Sequence, residues 1–275
     1  MTYENLGSGA LDYFPCRYGK SRLLFRGPRR DLAGEHIAFL GGNETYGKFI
    51  TTPFPALVER QIGVTCANFG WLNAGIDAYL GDHALMDVIS DARVTVVQVM
   101  GAQNMSNRFY SVHPRRNDRF VGASALMRTV FREVDFTEYH FTKAMLHAVQ
   151  TLSPDRFCLV RDELKNAWLA RMKLLLNRIQ GKTILLWLAN DPPSGRPEEE
   201  GVEQDPLFVD RTMIEAIRPH VTAVVEVVVS AAAKARGVDG MVFSQMEAPV
   251  ASQMMGPAAH EEAAEALAEA LKNLR

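Results

Sequence analysis

The chain has 275 residues, 47% of them hydrophobic and 23% charged, with a formal net charge of −2. That length allows one large α/β domain or two small ones, and the composition is that of a globular protein with a sizeable core. The near-neutral charge gives no electrostatic case for nucleic acid or an anionic membrane surface.

No apolar run approaches the roughly 18–20 residues that span a bilayer, and the opening MTYENLGSGALDYF lacks the basic and apolar regions of a secretory signal. Cys16, Cys66 and Cys158 are isolated and odd in number, which reads as reduced thiols in a cytoplasmic protein.

In chain order, residues 1–35 read as an irregular N-terminal arm. Tyr3, Tyr13, Phe14 and Tyr18 would staple it to the body, and Arg17, Lys20, Arg22, Arg26, Arg29 and Arg30 make it basic. From residue 36 a repeating pattern begins. Strands are expected at 36–41, 63–68, 94–100, 183–189 and 221–229, all continuously apolar, as in parallel strands covered on both faces.

Helices are expected at 46–61, 75–91, 154–180, 206–218 and 257–274, the first of them interrupted by Pro53 and Pro55. This order predicts a single domain over 36–275, a three-layer α/β/α sandwich around a five-stranded, mainly parallel, flavodoxin-like sheet. Residues 101–153 are expected to hold a helical insertion, near 122–133 and 138–152, over the carboxyl edge of the sheet. The stretch 191–206 reads as a surface loop with the reach of a lid.

Ligands of such sheets bind at the carboxyl edge, so the turns that follow the strands carry the chemistry. The first is Gly41-Gly42-Asn43-Glu44-Thr45. Its spacing is neither a dinucleotide fingerprint nor a phosphate loop, so nucleotide enzymes built on those loops are disfavoured. After the second strand, Gly70 offers a backbone N–H of the kind an oxyanion needs, and Trp71 could line a pocket.

After the third strand comes a dense polar run in which Asn104 or Asn107 could donate to an oxyanion. Arg108 and Tyr110 follow, then the cationic His113-Pro114-Arg115-Arg116. Arg108, Arg115 and Arg116 suggest an anionic group on the ligand. His260, in the first turn of the last helix, would return to the same edge as a general base. Taken singly, each of these features is also an ordinary turn, cap or solvated loop. No His/Cys/Asp cluster has metal-ligand spacing, so neither metal nor cofactor is expected.

Together these positions resemble the SGNH (GDSL-like) hydrolase superfamily, as a divergent bacterial member. Phe39-Leu40-Gly41-Gly42-Asn43 resembles its F-x-G-D-S block, and Gly70 its second-block glycine. Gly101-Ala102-Gln103-Asn104 resembles G-x-N-D with a one-residue offset, and His260 the last-block histidine. The chain departs from the family at two places: Asn43 stands at the serine, and Pro257 at the acid three residues before the histidine.

The resemblance implies a hydrolase or acyl/ester-group transferase acting on a glycan or lipid precursor with an anionic portion. His260 would be the base, Thr45 a displaced nucleophile, and Glu44 or Asp191 the group orienting His260. Gly70 and Asn104 would stabilise the oxyanion. The alternatives are a catalytically silent scaffold that binds a ligand or partner through the same cleft, and a sulfo- or glycosyl-group transferase using the basic loop. The sequence sets no oligomeric state.

Overall fold

The computed structural model describes residues 11–195, 202 and 205–274. Tyr3 of the arm, and residues 196–201 and 203–204 of the expected 191–206 loop, lie outside them.

The central sheet consists of β1 (His36–Gly41), β2 (Thr65–Gly70), β3 (Val94–Gln98), β6 (Lys182–Ala189) and β7 (Ala223–Val228), in the spatial order β2-β1-β3-β6-β7 and parallel throughout. Between β3 and β6 the chain makes an antiparallel hairpin, β4 (Tyr110–His113) and β5 (Arg116–Ala123). With helices on both faces of the sheet, the fold is the three-layer α/β/α sandwich that the strand pattern predicts.

Alternation along β1 divides the core. Ala38 and Leu40 face one layer with Phe69, Val97 and Leu185, and Ile37 and Phe39 face the other with Val96, Ile184 and Leu186. The first layer is closed by α3 (Ile76–Leu80), α4 (His83–Ser90) and α7 (Pro154–Arg178), which brings the fully buried Trp168 into the core. The second is closed by α2 (Phe54–Ile62) and, beyond α8 (Arg211–Ile217), α9 (Ala231–Arg236) and α10 (Ala248–Ala251), by α11 (Pro257–Asn273), whose small Ala259, Ala263 and Ala264 let it lie close to the sheet. Burial of this kind contributes roughly 25 cal/mol for each Å² of apolar surface, and it holds the strand ends in place.

Three segments differ from the expected boundaries. Residues 46–61 do not make one helix. A single turn, α1 (Asn43–Tyr46), stops at Gly47, whose φ of 73° is the left-handed conformation natural to glycine. The next helix restarts after Pro53. Residues 75–91 split at Gly81, and Asp82 caps the second half by accepting the Leu85 N–H.

The expected insertion is helical only in part. It begins with the hairpin, continues through the short α5 (Ala125–Val130) and ends in α6 (Thr142–Leu152). Tyr110 and Val112 are buried two residues apart on β4, but on β5 the buried positions Asn117, Phe120 and Ala123 are three apart and the pairing with β4 shifts register, so no strand alternation shows in the sequence.

The basic arm is integrated into the body. Ser21 Oγ donates to Asp82 (2.8 Å), and Leu23 and Phe25 are buried. Arg26, only 7% exposed, donates to the backbone carbonyls of Tyr46, Gly47, Ile50 and Thr51. It thereby satisfies the loop between α1 and α2 from inside.

Candidate functional site

The carboxyl ends of β1, β3 and β6 open into one cleft with two joined lobes, of about 720 Å³ and 450 Å³. Glu44, Lys143, Asp205, Pro206, Gln253 and Met255 line both. The larger lobe adds Asn43, Asn73, Gln98, Gln103, Asn104, Asp118 and Phe141, and the smaller adds Trp187, Asn190 and Asp191. A separate cavity of about 500 Å³, lined by Tyr18, Arg29 and His36, contains none of the predicted site residues.

Gln98 organises the first turn. Its Oε1 accepts from Thr45 Oγ1 (2.6 Å), from the Thr45 N–H (3.2 Å) and from the Gly42 N–H (3.2 Å). Three donors on one atom fix the orientation of the amide, so Nε2 faces Glu44 and donates to its Oε2 at 2.8 Å. Gly41 is required for this fit, because a Cβ there would collide with Thr45 Oγ1 and Gln98 Oε1. Glu44 is half-buried, and burial, with Asp205 adding to it, raises its carboxyl above the ordinary range.

A second amide chain forms the adjoining wall. Asn43 and Asn73 bond reciprocally at 3.0 Å, and Asn73 Nδ2 donates to Asp118 (3.2 Å). Asn104 Nδ2 donates to the Asn73 carbonyl (3.1 Å), and its Oδ1 accepts from Thr142 Oγ1 (2.9 Å). Asn73 reaches this position at a φ of 53°, a conformation asparagine tolerates better than most residues.

Of the predicted catalytic residues, Asn43, Glu44 and Asn104 line this cleft, whereas Thr45, Gly70 and His260 do not. His260 is 1% exposed. Its Nδ1 accepts the Phe54 N–H (3.2 Å), and its ring stacks on Phe54 with centroids 5.8 Å apart. Burial, and then the charge of Arg26, lower it to about 3, so it is a neutral core residue. The small residues that precede it let the first turn of α11 sink into the second core layer, and His260 does not line the cleft.

Thr45 is fully buried, with its hydroxyl committed to Gln98. The Gly70 N–H is already bonded to Asn68 Oδ1 (2.8 Å). This glycine is needed for close approach instead, since a Cβ would strike the backbone N of Tyr46.

The predicted anion-binding group is dispersed outside the cleft. Arg108 is exposed beside Glu163, and Arg115 and Arg116 lie exposed at the hairpin turn. Tyr110 is buried, its hydroxyl donating to the Gln103 carbonyl (2.6 Å). Asn107 ties its own turn through the Phe109 and Tyr110 N–H groups. Trp71 packs on Phe25 and donates to the Arg115 carbonyl (2.9 Å).

Among the described residues, the charged groups that do line the cleft are Glu44, Asp118, Asp191, Asp205 and Lys143. Gln98, Asn73, Asp118, Lys143 and Asp205 are not among the site residues expected from the sequence. Gln98 was detectable as a lone amide at the end of an apolar strand.

Among the described residues, no group of three or more His, Cys, Asp or Glu converges as metal ligands, and no helix is long and apolar enough to cross a membrane. The chain belongs to a family defined as a domain of unknown function (DUF6473), whose model matches residues 1–275. No protein of curated function matches it.

Proposed function

We propose that the protein binds a small hydroxylated ligand of saccharide type in the carboxyl-edge cleft, and that it does so without serine–histidine chemistry. The observation that carries this reading is the lining. Amides (Asn43, Asn73, Gln98, Gln103, Asn104, Gln253) share the lining with the carboxylates of Glu44, Asp118, Asp191 and Asp205, and Trp187, Phe141, Met254 and Met255 supply the apolar surface.

Sugar hydroxyls both donate and accept, and planar amides and carboxylates offer them matched partners. Among the described lining residues negative charge outweighs positive, which argues against the anionic group expected from the arginine run. The reading keeps the cleft location that the SGNH resemblance implies and sets aside its triad.

Hydrolysis or group transfer is the second reading. It is favoured by one observation, a carboxyl with a raised pKa in a cleft, which is a common mark of acid–base sites.

Ligand-observed NMR with glucose, N-acetylglucosamine, glucosamine and glucuronate tests the main reading. Binding of the neutral or cationic sugars in preference to glucuronate is the expected result. Preference for glucuronate, or silence from all four, overturns it.

A further inference from the structure

The β4–β5 hairpin delivers one carboxylate to the cleft at a fixed position. The buried Asn117 pins β5 to the first turn of α3. Its Oδ1 accepts the Gly75 N–H (3.0 Å) and the Ala78 N–H (3.1 Å), and its Nδ2 donates to the His113 carbonyl (3.1 Å). The next residue along the strand, Asp118, is half-buried and lines the larger lobe.

The amide chain that reaches Asp118 has one polarity. The Asn73 N–H is a backbone donor, so the Asn43 atom facing it at 3.0 Å is the oxygen, Oδ1. Asn43 Nδ2 then donates to Asn73 Oδ1 (3.0 Å), and Asn73 Nδ2 is left to donate to Asp118 Oδ2 (3.2 Å). Turning either amide round would set a donor against a donor. Two valences remain at the end of the chain. Asp118 Oδ1 has no hydrogen-bond partner among the described residues and is not sealed from solvent, and Asn73 Nδ2 keeps one hydrogen.

A charged acceptor and an amide donor, on groups already bonded to each other, match two neighbouring hydroxyls. Arg119, next along β5, lies over the Phe141 ring (5.2 Å), and the exposed Phe141 gives the same lobe an apolar face for the C–H side of a sugar ring.

We propose that Asp118 and Asn73 are the specificity-determining pair of the cleft and that the group they recognise is a vicinal diol. One hydroxyl donates to Asp118 Oδ1, and its neighbour accepts from Asn73 Nδ2. The inference rests on the saccharide-cleft reading and narrows it to ligands with two adjacent free hydroxyls.

The test is a set of affinities for glucose, N-acetylglucosamine and glucosamine, which share adjacent 3- and 4-hydroxyls, and for their 3-deoxy and 4-deoxy analogues. The proteins are the wild type, Asp118→Asn, Asp118→Ala and Asn73→Gly, the last chosen because glycine suits the φ of 53° at that position. Asp118→Asn keeps an acceptor for Asn73 but turns an amide donor toward the ligand. It is expected to bind the parent sugars about tenfold more weakly than the wild type, and Asp118→Ala at least as weakly. Either deoxy change is expected to cost the wild type about tenfold. One of the two penalties should vanish in Asp118→Ala, and the other in Asn73→Gly. Thermal melts accompany each variant, and Asp118→Asn stands in where Asp118→Ala does not fold.

An Asp118→Ala protein that binds as tightly as the wild type, or deoxy penalties that persist in both variants, overturns the proposal and leaves the saccharide reading standing. If none of the parent sugars binds the folded wild type, the saccharide reading fails and the proposal fails with it.

Discussion

Gln98 Oε1 stands 2.6 Å from Thr45 Oγ1, the shortest of the three bonds that close the first turn onto the end of β3. Thr45 is thus a structural donor beneath the cleft. Thr45→Val, which keeps the shape and removes the hydroxyl, is expected to cost about 1 kcal/mol. That corresponds to about 2–4 °C in a thermal melt of a chain this size. Thr45→Ser is expected to melt with the wild type. A valine variant that melts unchanged shows that the hydroxyl contributes nothing to the turn.

His260 provides a pH prediction whose sign follows from its burial. Its folded pKa is depressed to about 3 from 6.5, so the unfolded chain takes up the proton first. The stability it contributes is fully present above pH 6.5 and is lost as pH falls toward 3, at about 1.4 kcal/mol per pH unit. His260→Gln retains an acceptor for the Phe54 N–H and cannot titrate, so its denaturation midpoints should fall less steeply between pH 6.5 and 4. Parallel curves for the two proteins would show that His260 ionises freely in the fold.

The parallel sheet was legible because β1, β3 and β6 are apolar on both faces, a pattern that few other structures require. That a cleft opens at the carboxyl ends of β1 and β3 follows from strand direction, but the expected contributions of the turn after β2 and of the start of α11 to its lining are not found. The roles of individual residues were not. His260 and Thr45 look like a base and a nucleophile in sequence because their types allow it. Whether a residue in the first turn of a helix faces the crevice or the core depends on how far the helix sinks, and the alanines of α11 draw it inward. Gln98 and Asn73 act through pairings 54 and 30 residues apart in the chain, and one sequence does not reveal such pairings.

Arg26 is the part of the basic arm whose charge is used inside the molecule. Four backbone carbonyls, of residues 46, 47, 50 and 51, converge on one guanidinium, and its ring partner Tyr13 lies 5.3 Å away. A lysine ammonium is a compact donor and cannot span them. Arg26→Lys is expected to destabilise the fold by about 2–4 kcal/mol, because buried carbonyls lose their partners. Hydrogen exchange should rise first at residues 46–51. A lysine variant with wild-type stability and protection there would show that water replaces the guanidinium without penalty.

Asn43 stands where the SGNH resemblance places a nucleophilic serine, which makes Asn43→Ser a direct test of whether the cleft is one substitution from ester hydrolysis. A serine hydroxyl needs a base within hydrogen-bond reach. No histidine is among the described residues lining the cleft, and His260 Nδ1 accepts from the Phe54 N–H. The adjacent carboxyl, Glu44, already accepts from Gln98 Nε2 at 2.8 Å and has no histidine beside it in the lining to pass a proton on to. The variant also loses the reciprocal bonds of Asn43 with Asn73, so a melt must accompany the assay. A folded Asn43→Ser protein is expected to hydrolyse p-nitrophenyl acetate no faster than the wild type. A rate gain that disappears when His260→Ala is added would return His260 to the role of base and overturn the core assignment given to it here.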